Sequence, residues 1–353
     1  MSKNEKIIIG IAVLVMAIAG LLKYANANVI LSFIASGAAL ALMAKIVGDA
    51  TEQLGSHFGP AATGILQSAL GNLPELFIGI FALRAGLEKV IQAALIGSIL
   101  GNSLLVLGLA IFIGGIKNGT QRFVSEPPRM MATLMILAFA GLAIPTVTNM
   151  FHTPGAKHIN QMDIFLAIVL LVIFIASLFF SLKGDTALVP QKPDDASVHK
   201  KWPLSMTIIV LACAGVASAF VSDWFVEALK PAMNLLNIND TFAGLVIVAI
   251  AGNAIENVVG IQLAYKNQSD YSMSVIMNSS LQIALGLFPL LVILSFFLGG
   301  SILSFVLTPM LLISLALAVI VSAIIVIDGE SIWLEGLALI GLYLLIAVAF
   351  WWG

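Results

Sequence analysis

Two glutamates stand inside long apolar runs, each preceded three residues earlier by an asparagine and four earlier by a glycine. The stretches are Gly71-Asn72-Leu73-Pro74-Glu75 and Gly252-Asn253-Ala254-Ile255-Glu256. Carboxylate and amide oxygens are hard donors, and together with backbone carbonyls they make a set that suits a cation such as Ca²⁺, which takes about 6 to 8 oxygens. An ionised carboxylate at the centre of a bilayer costs roughly 2.5 to 3.5 kcal/mol on insertion scales, so two at matched positions point to an ion pathway. The pair carries two negative charges when ionised and none when doubly protonated. One divalent cation or two protons therefore neutralise the same site. Metal binding requires deprotonated ligands, so the two occupancies oppose each other, and the chemistry implied is exchange.

The second motif lies 181 residues after the first, from 71 to 252, and the same offset carries Gly79 onto Gly260, Ile80 onto Ile261 and Ser98 onto Ser279. A constant offset across two helices implies duplication. Within each motif Asn and Glu, three residues apart, share one face of a helix. Pro74 inside a helix cannot donate to the carbonyl of Leu70, which would free that oxygen for a cation; a plain packing kink is an equal reading, since Ile255 fills the matching place. A second polar set follows each motif: Ser98 and Asn102 in the first copy, Asn278, Ser279 and Gln282 in the second. These neutral groups either support the site or glue helices together. Glu52 and Asp223, near the ends of the helices before each motif, could recruit cations or relay protons, or only solvate those ends.

The elements that must hold these residues are membrane spans. With 60% hydrophobic and 10% charged residues and a mean hydropathy of +1.09, the chain belongs with polytopic membrane proteins. The net charge of −2 names no partner, and the single Cys213 excludes an intramolecular disulfide and cysteine-cluster metal sites. No Gly-rich phosphate loop or His-Glu-x-x-His pattern is present, and no catalytic residues are assigned. Windows of about 20 residues, the length that crosses a bilayer, fall near 6–22, 29–48, 60–83, 90–116, 130–151, 162–182, 204–226, 241–265, 271–298, 302–327 and 331–352. The expected fold is all-α, with eleven transmembrane helices.

Residues 183–203 form a hydrophilic linker. With a cytoplasmic N-terminus, eleven Lys and Arg fall inside and five outside, which favours that orientation, a cytoplasmic linker and an outer C-terminus. The motif helices are third and eighth, an odd separation, so the two halves are expected to be inverted repeats with a midplane site. The organisation expected is an extra N-terminal helix at 1–27, a five-helix repeat at 28–182, the linker, and a second five-helix repeat at 204–353. The first helix also suits a signal peptide ending at Ala25-Asn26-Ala27; an uncleaved anchor is favoured because its apolar run exceeds the usual length.

On these residues the chain resembles the Ca²⁺/H⁺ antiporters (the CAX family) of the calcium/cation antiporter superfamily. The resemblance rests on the two motifs together with Phe81-Ala82-Leu83, Ala264-Tyr265-Lys266-Asn267 and Ser279-Ser280-Leu281-Gln282-Ile283-Ala284. It implies eleven helices, a midplane site on the motif helices, alternating access, and alternate binding of cation and proton at Glu75 and Glu256, with Asn72 and Asn253 beside them. Two departures stand out. Asn257 replaces the histidine that usually follows the second glutamate, and Asn278 replaces a glycine; the first removes a titratable group. The function expected is Ca²⁺/H⁺ exchange at the cell membrane, without a cofactor or enzyme activity; the transported Ca²⁺ and H⁺ and the lipid bilayer are its partners, nucleic acid is not, and a homo-oligomer is compatible. The alternatives are coupling to Na⁺, another divalent cation, a passive channel, or an intramembrane hydrolase.

Overall fold

The computed structural model describes residues 1–25, 27–58, 66–67, 69–183 and 202–352, and side chains at 181–183 and 254–256 fall outside this set. The linker is thus described only at its edges. In chain order the elements are α1 (Lys3–Tyr24), α2 (Val29–Gly55), α3 (Leu73–Arg84) and α4 (Glu88–Leu100), which runs through a π segment (Gly101–Val106) into α5 (Leu107–Asn118). Next come β1 (Gln121–Arg122), α6 (Glu126–Met150), a 3-10 turn (Pro154–His158) leading into α7 (Ile159–Lys183), and α8 (Leu204–Leu236). A helical turn (Asp240–Phe242) and a π segment (Ala243–Val248) precede α9 (Ala249–Tyr265). Then α10 (Ser269–Gln282) passes through a third π segment (Ile283–Leu287) into α11 (Phe288–Ser295), followed by α12 (Pro309–Ile327), β2 (Glu330–Ser331) and α13 (Trp333–Trp352).

Among the described residues, nine helical stretches are long and apolar enough to cross a membrane. A tenth is the pair Asp240–Asn253 and Asn257–Tyr265, bent by 63°. Of the eleventh expected window, 60–83, mainly the second half is described, as α3. Three local differences from the sequence expectation have physical causes. The helix expected from 302 begins only at Pro309, with the Thr308 hydroxyl capping it by accepting from Leu311 N. Helix α8 continues past the expected end at 226, through Pro231, to Leu236, where Asn237 closes it in the left-handed region at φ 53°. A single antiparallel pair, Gln121 opposite Ser331, adds a β element to a fold expected to be all helix.

Contacts divide the chain into two units, Met1–Leu87 with Gln191–Asn239, and Glu88–Pro190 with Asp240–Gly353. In the first unit, α2 and α8 pack antiparallel. Phe33 stacks on Phe225 with centroids 4.9 Å apart, and toward the other end Trp202 N donates to Gln53 Oε1. Helix α1 starts with a reciprocal cap, Ser2 N to Glu5 Oε2 and Glu5 N to Ser2 Oγ. It joins the pair through Lys23, 2.5 Å from Glu227 and 3.6 Å from Asp223, and through the Trp202 indole, which donates to Glu5. Helix α3 rests on α8, where Ser222 Oγ donates to the Pro74 carbonyl at 3.5 Å.

In the second unit the spans Glu88–Asn118 and Ser269–Ser295 are 67% and 83% buried, against 17% for Pro154–Phe180. The first two therefore form its centre. Close crossings of small residues make this possible. A Cβ on Gly97 would lie 2.2 Å from the Leu245 carbonyl, and one on Gly244 would lie 2.2 Å from the Val90 carbonyl. The two glycines thus let α4 and the segment before α9 meet backbone to backbone.

Candidate functional site

The 181-residue offset carries from the sequence into the backbone. Helix α3 ends at Arg84 and α9 at Tyr265; the residues two further on, Gly86 and Asn267, both take positive φ, 76° and 61°. The next helices start at Glu88 and Ser269, and their π segments end at Val106 and Leu287. Each pair is separated by the same 181 residues. A left-handed residue just past a helix end is what glycine, and next asparagine, supplies.

In the first copy the helix does not run through the motif. Gly71 and Asn72 form a turn, Asn72 is the cap residue at φ −91° and ψ 19°, and α3 starts at Leu73 with Pro74 in its first turn. There proline needs no backbone partner, because N–H groups in a first turn are unpaired in any helix. This corrects the sequence expectation that Pro74 interrupts a helix, and the expectation that Asn72 and Glu75 share a helix face. Gly71 is needed at the turn: its N–H bonds to the Gln67 carbonyl at 2.9 Å, and a Cβ would come within 2.5 Å of that oxygen. Asn72 is 7% exposed; Glu75 is partly buried in the first turn of α3, at the positive end of its helix dipole.

In the second copy, α9 stays helical across the motif from Ala249 to Tyr265 but bends by 63° between Asn253 and Asn257. The side chain of Glu256 lies outside the described residues. Asn253, 2% exposed, donates from Nδ2 to Ser98 Oγ at 2.8 Å and to the Ala249 carbonyl at 3.1 Å. Those two bonds fix the amide so that Oδ1 faces away from them, and among the described residues Oδ1 has no hydrogen-bond partner. Asn257, one turn later, also holds a buried Oδ1 without a partner among these residues. Both side chains line a small cleft with Ser98 and Asn102. Buried amide oxygens left over in this way are costly unless a water or a cation meets them.

The central helices of this unit are tied by the second polar set. Asn102 Nδ2 donates to Ser279 Oγ at 2.9 Å, and the hydroxyls of Ser103 and Ser280 lie 3.1 Å apart. Gln282 is buried and Asn278 half-buried on α10. Of the two outlying acids, Glu52 is exposed at the end of α2, and Asp223 is paired with Lys23. Sequence reasoning missed Ser222, since a serine in an apolar helix carries no mark of the carbonyl it touches. It also passed over Asp163, a fully buried acid whose place inside an apolar window was a visible signal.

Helices crossing a membrane and a twice-written amide and carboxylate motif define an integral membrane protein of the exchanger type. The chain belongs to the sodium/calcium exchanger protein family, whose sequence profile matches residues 28–183 and 206–352. It is 33% identical over 339 residues to a Ca²⁺/H⁺ antiporter of Synechocystis sp., covering 90% of each chain. It is likewise 33% identical over 314 residues to the Ca²⁺/H⁺ antiporter ChaA of Bacillus subtilis, covering 87% of this chain and 88% of that one. A solved structure of the Ca²⁺/H⁺ antiporter YfkE superposes with a TM-score of 0.83 at 30% identity, over 99% of this chain and 100% of the other.

Proposed function

We propose that this protein exchanges Ca²⁺ for H⁺ across a cell membrane, with Glu75 and Glu256 as the groups that bind either one cation or two protons. The observation that carries the reading is the pair of glutamates at matched positions of a duplicated helix pair, in a chain whose relatives include proteins named Ca²⁺/H⁺ antiporters. Asn72 and Asn253 add neutral oxygens, and Ser98 turns the Asn253 amide so that its oxygen is the free atom. Asn102, Asn257, Asn278, Ser279, Gln282 and the Leu70 carbonyl play accessory parts around them. The two halves, 28–182 and 204–353, work as inverted repeats that expose the site alternately to each side, with 1–27 as an extra helix. The asymmetry of the basic residues supports an N-terminus and linker in the cytoplasm and a C-terminus outside. Glu52 could gather cations at the surface; Asp223 is less suited, because Lys23 already offsets its charge.

Counterflow in proteoliposomes tests this reading. An imposed pH gradient should drive Ca²⁺ uptake, and an imposed Na⁺ gradient should not. Uptake that follows Na⁺ and ignores pH would give the coupling role to Na⁺; downhill Ca²⁺ flux without counter-ion movement would describe a channel.

A further inference from the structure

Between Ser295 and α12, residues 302–308 form an extended strap with no helical hydrogen bonds of its own. Leu303, Phe305 and Leu307 are nearly or fully buried. Unwound backbone at membrane depth persists only where protein satisfies its polar groups. Here side chains from distant helices do so. Gln92 Nε2 on α4 donates to the Ser304 and Val306 carbonyls at 2.8 and 2.9 Å. Thr146 Oγ1 on α6 donates to the Phe305 carbonyl at 3.1 Å and accepts from Leu307 N at 2.9 Å. The remaining neighbour is Asp163 on α7, 0% exposed, facing the Ser304 hydroxyl and the Phe305 N–H. Among the described residues, neither of its oxygens completes a hydrogen bond of good geometry.

Among the described residues, no cation is placed to balance that carboxylate. Helix α7 packs against α6, the 3-10 turn, α11 and the π segment before α11. The last two carry no charged residue. The 3-10 turn carries Lys157 and His158, both exposed. Helix α6 carries Glu126 and Arg129, and Arg129 is seventeen residues from Thr146, roughly 25 Å along a helix rising 1.5 Å per residue. On α4, which reaches the strap through Gln92, the charges are Glu88 and the exposed Lys89. An unpaired ionised acid in such a place is far more expensive than a neutral one.

We infer that Asp163 is a proton-binding site separate from the exchanged pair, and that its neutral carboxyl holds the 302–308 strap between α6 and α7. The proton stays with the protein during exchange, so it sets the condition of the strap and carries no transported charge. Its removal leaves a buried charge beside the strap, which favours loosening of the segment or entry of water.

Infrared spectroscopy of the purified full chain reads this directly. In the Glu75→Gln, Glu256→Gln double variant at neutral pH, one protonated-carboxyl band that shifts in heavy water should remain, and adding Asp163→Asn should remove it. Absence of the band in the double variant would overturn the assignment, and so would its survival after Asp163→Asn. Ser304→Ala, which keeps the acid and removes one partner, covers the case in which Asp163→Asn does not fold. It should move the band; an unmoved band would equally sink the idea. Asp163→Asn alone should retain Ca²⁺ counterflow, and its loss in a folded variant would place Asp163 in the exchange path instead.

Discussion

The two copies of the motif hold the same asparagine and glutamate on different backbones. In the first the chain turns at Gly71 and Asn72 and a new helix starts at Leu73; in the second α9 stays helical from Ala249 to Tyr265 and bends by 63° between Asn253 and Asn257. The difference follows from one position. Pro74 is at home in the first turn of a helix, whereas Ile255, in the matching place, retains an N–H that can take part in a continuing helix. After the motifs the copies converge again: helix ends, left-handed residues, next helix starts and π-segment ends all keep the 181-residue offset. A duplicated pair of helices has thus kept its chemistry and its joints while one copy ends and restarts the helix at the ligands and the other bends it there. This raises the question of whether the two halves contribute equally.

The sharpest test replaces each glutamate in turn. Glu75→Gln and Glu256→Gln each keep the shape and remove one charge, and each should reduce exchange to below about one hundredth of the starting rate, since uncompensating a buried charged site costs about 3 kcal/mol or more. Counterflow in proteoliposomes measures this, with thermal unfolding as the check on folding. Equal losses would mean that the interrupted and the bent backbone deliver equivalent ligands. Substantial exchange in either variant would assign the ion to one half alone.

The pH dependence of binding comes next. Linkage fixes the sign: Ca²⁺ needs deprotonated ligands, so apparent affinity rises with pH and flattens once both carboxyls are ionised. Below that point the release of two protons permits a rise of up to about 100-fold per pH unit, and either single Gln variant that still binds permits about tenfold at most. Calorimetric titration at several pH values reads the slope. The two steps belong to the pair and not to either residue. A slope of two protons surviving in a Gln variant would show that a further titratable group takes part. Asn257→His restores a titratable side chain beside Glu256 and should alter the profile without abolishing exchange.

Much of this arrangement was legible in the sequence, because a duplicated motif announces itself by its spacing. The offset from 71 to 252 located the paired helices, and Gly86 against Asn267 repeats the turn chemistry by residue type. The π segments were not legible, since a shifted hydrogen-bond pattern leaves no mark on apolar sequences such as Leu104 to Val106. The extended strap at 302–308 was hidden for a different reason. Its composition is that of a helix, and its backbone is satisfied by Gln92 and Thr146, which lie more than 150 positions away in the chain. The break at Gly71 and Asn72 was visible as Gly and Pro, but those residues fit a kinked helix and a newly started one alike.

The amide ligands should show a smaller, graded effect. Asn253→Ala removes an oxygen and leaves Ser98 without its donor, while Ser98→Ala keeps the oxygen and frees the amide to rotate. A neutral hydrogen bond is worth about 1 kcal/mol, so Ser98→Ala should weaken Ca²⁺ binding by about fivefold, and Asn253→Ala by more. Asn72→Ala probes the other copy, where asparagine sits at a cap instead of within a helix. An unchanged affinity in Asn72→Ala beside a loss in Asn253→Ala would tie the ligand role to the second copy.

The smallest effect, and the one aimed most directly at the backbone difference, comes from exchanging the residues that set it. Pro74→Ile places the second copy's residue in the first. In the first turn of α3 the restored N–H needs no partner within the helix, so the folded state loses little, and the main cost is the greater freedom of the unfolded chain, about 0.4 to 1 kcal/mol. The melting temperature should therefore fall slightly while exchange persists. The reciprocal change, Ile255→Pro, is not symmetric. It puts proline in the interior of α9, where the loss of a hydrogen bond and the clash with the preceding turn cost about 3 kcal/mol. If the two substitutions cost the same, the break at Gly71 and Asn72 is not a property of the first copy, and the contrast between the halves dissolves. If only Ile255→Pro is damaging, proline is tolerated where the helix begins and excluded where the helix must continue, which is what the two backbones require.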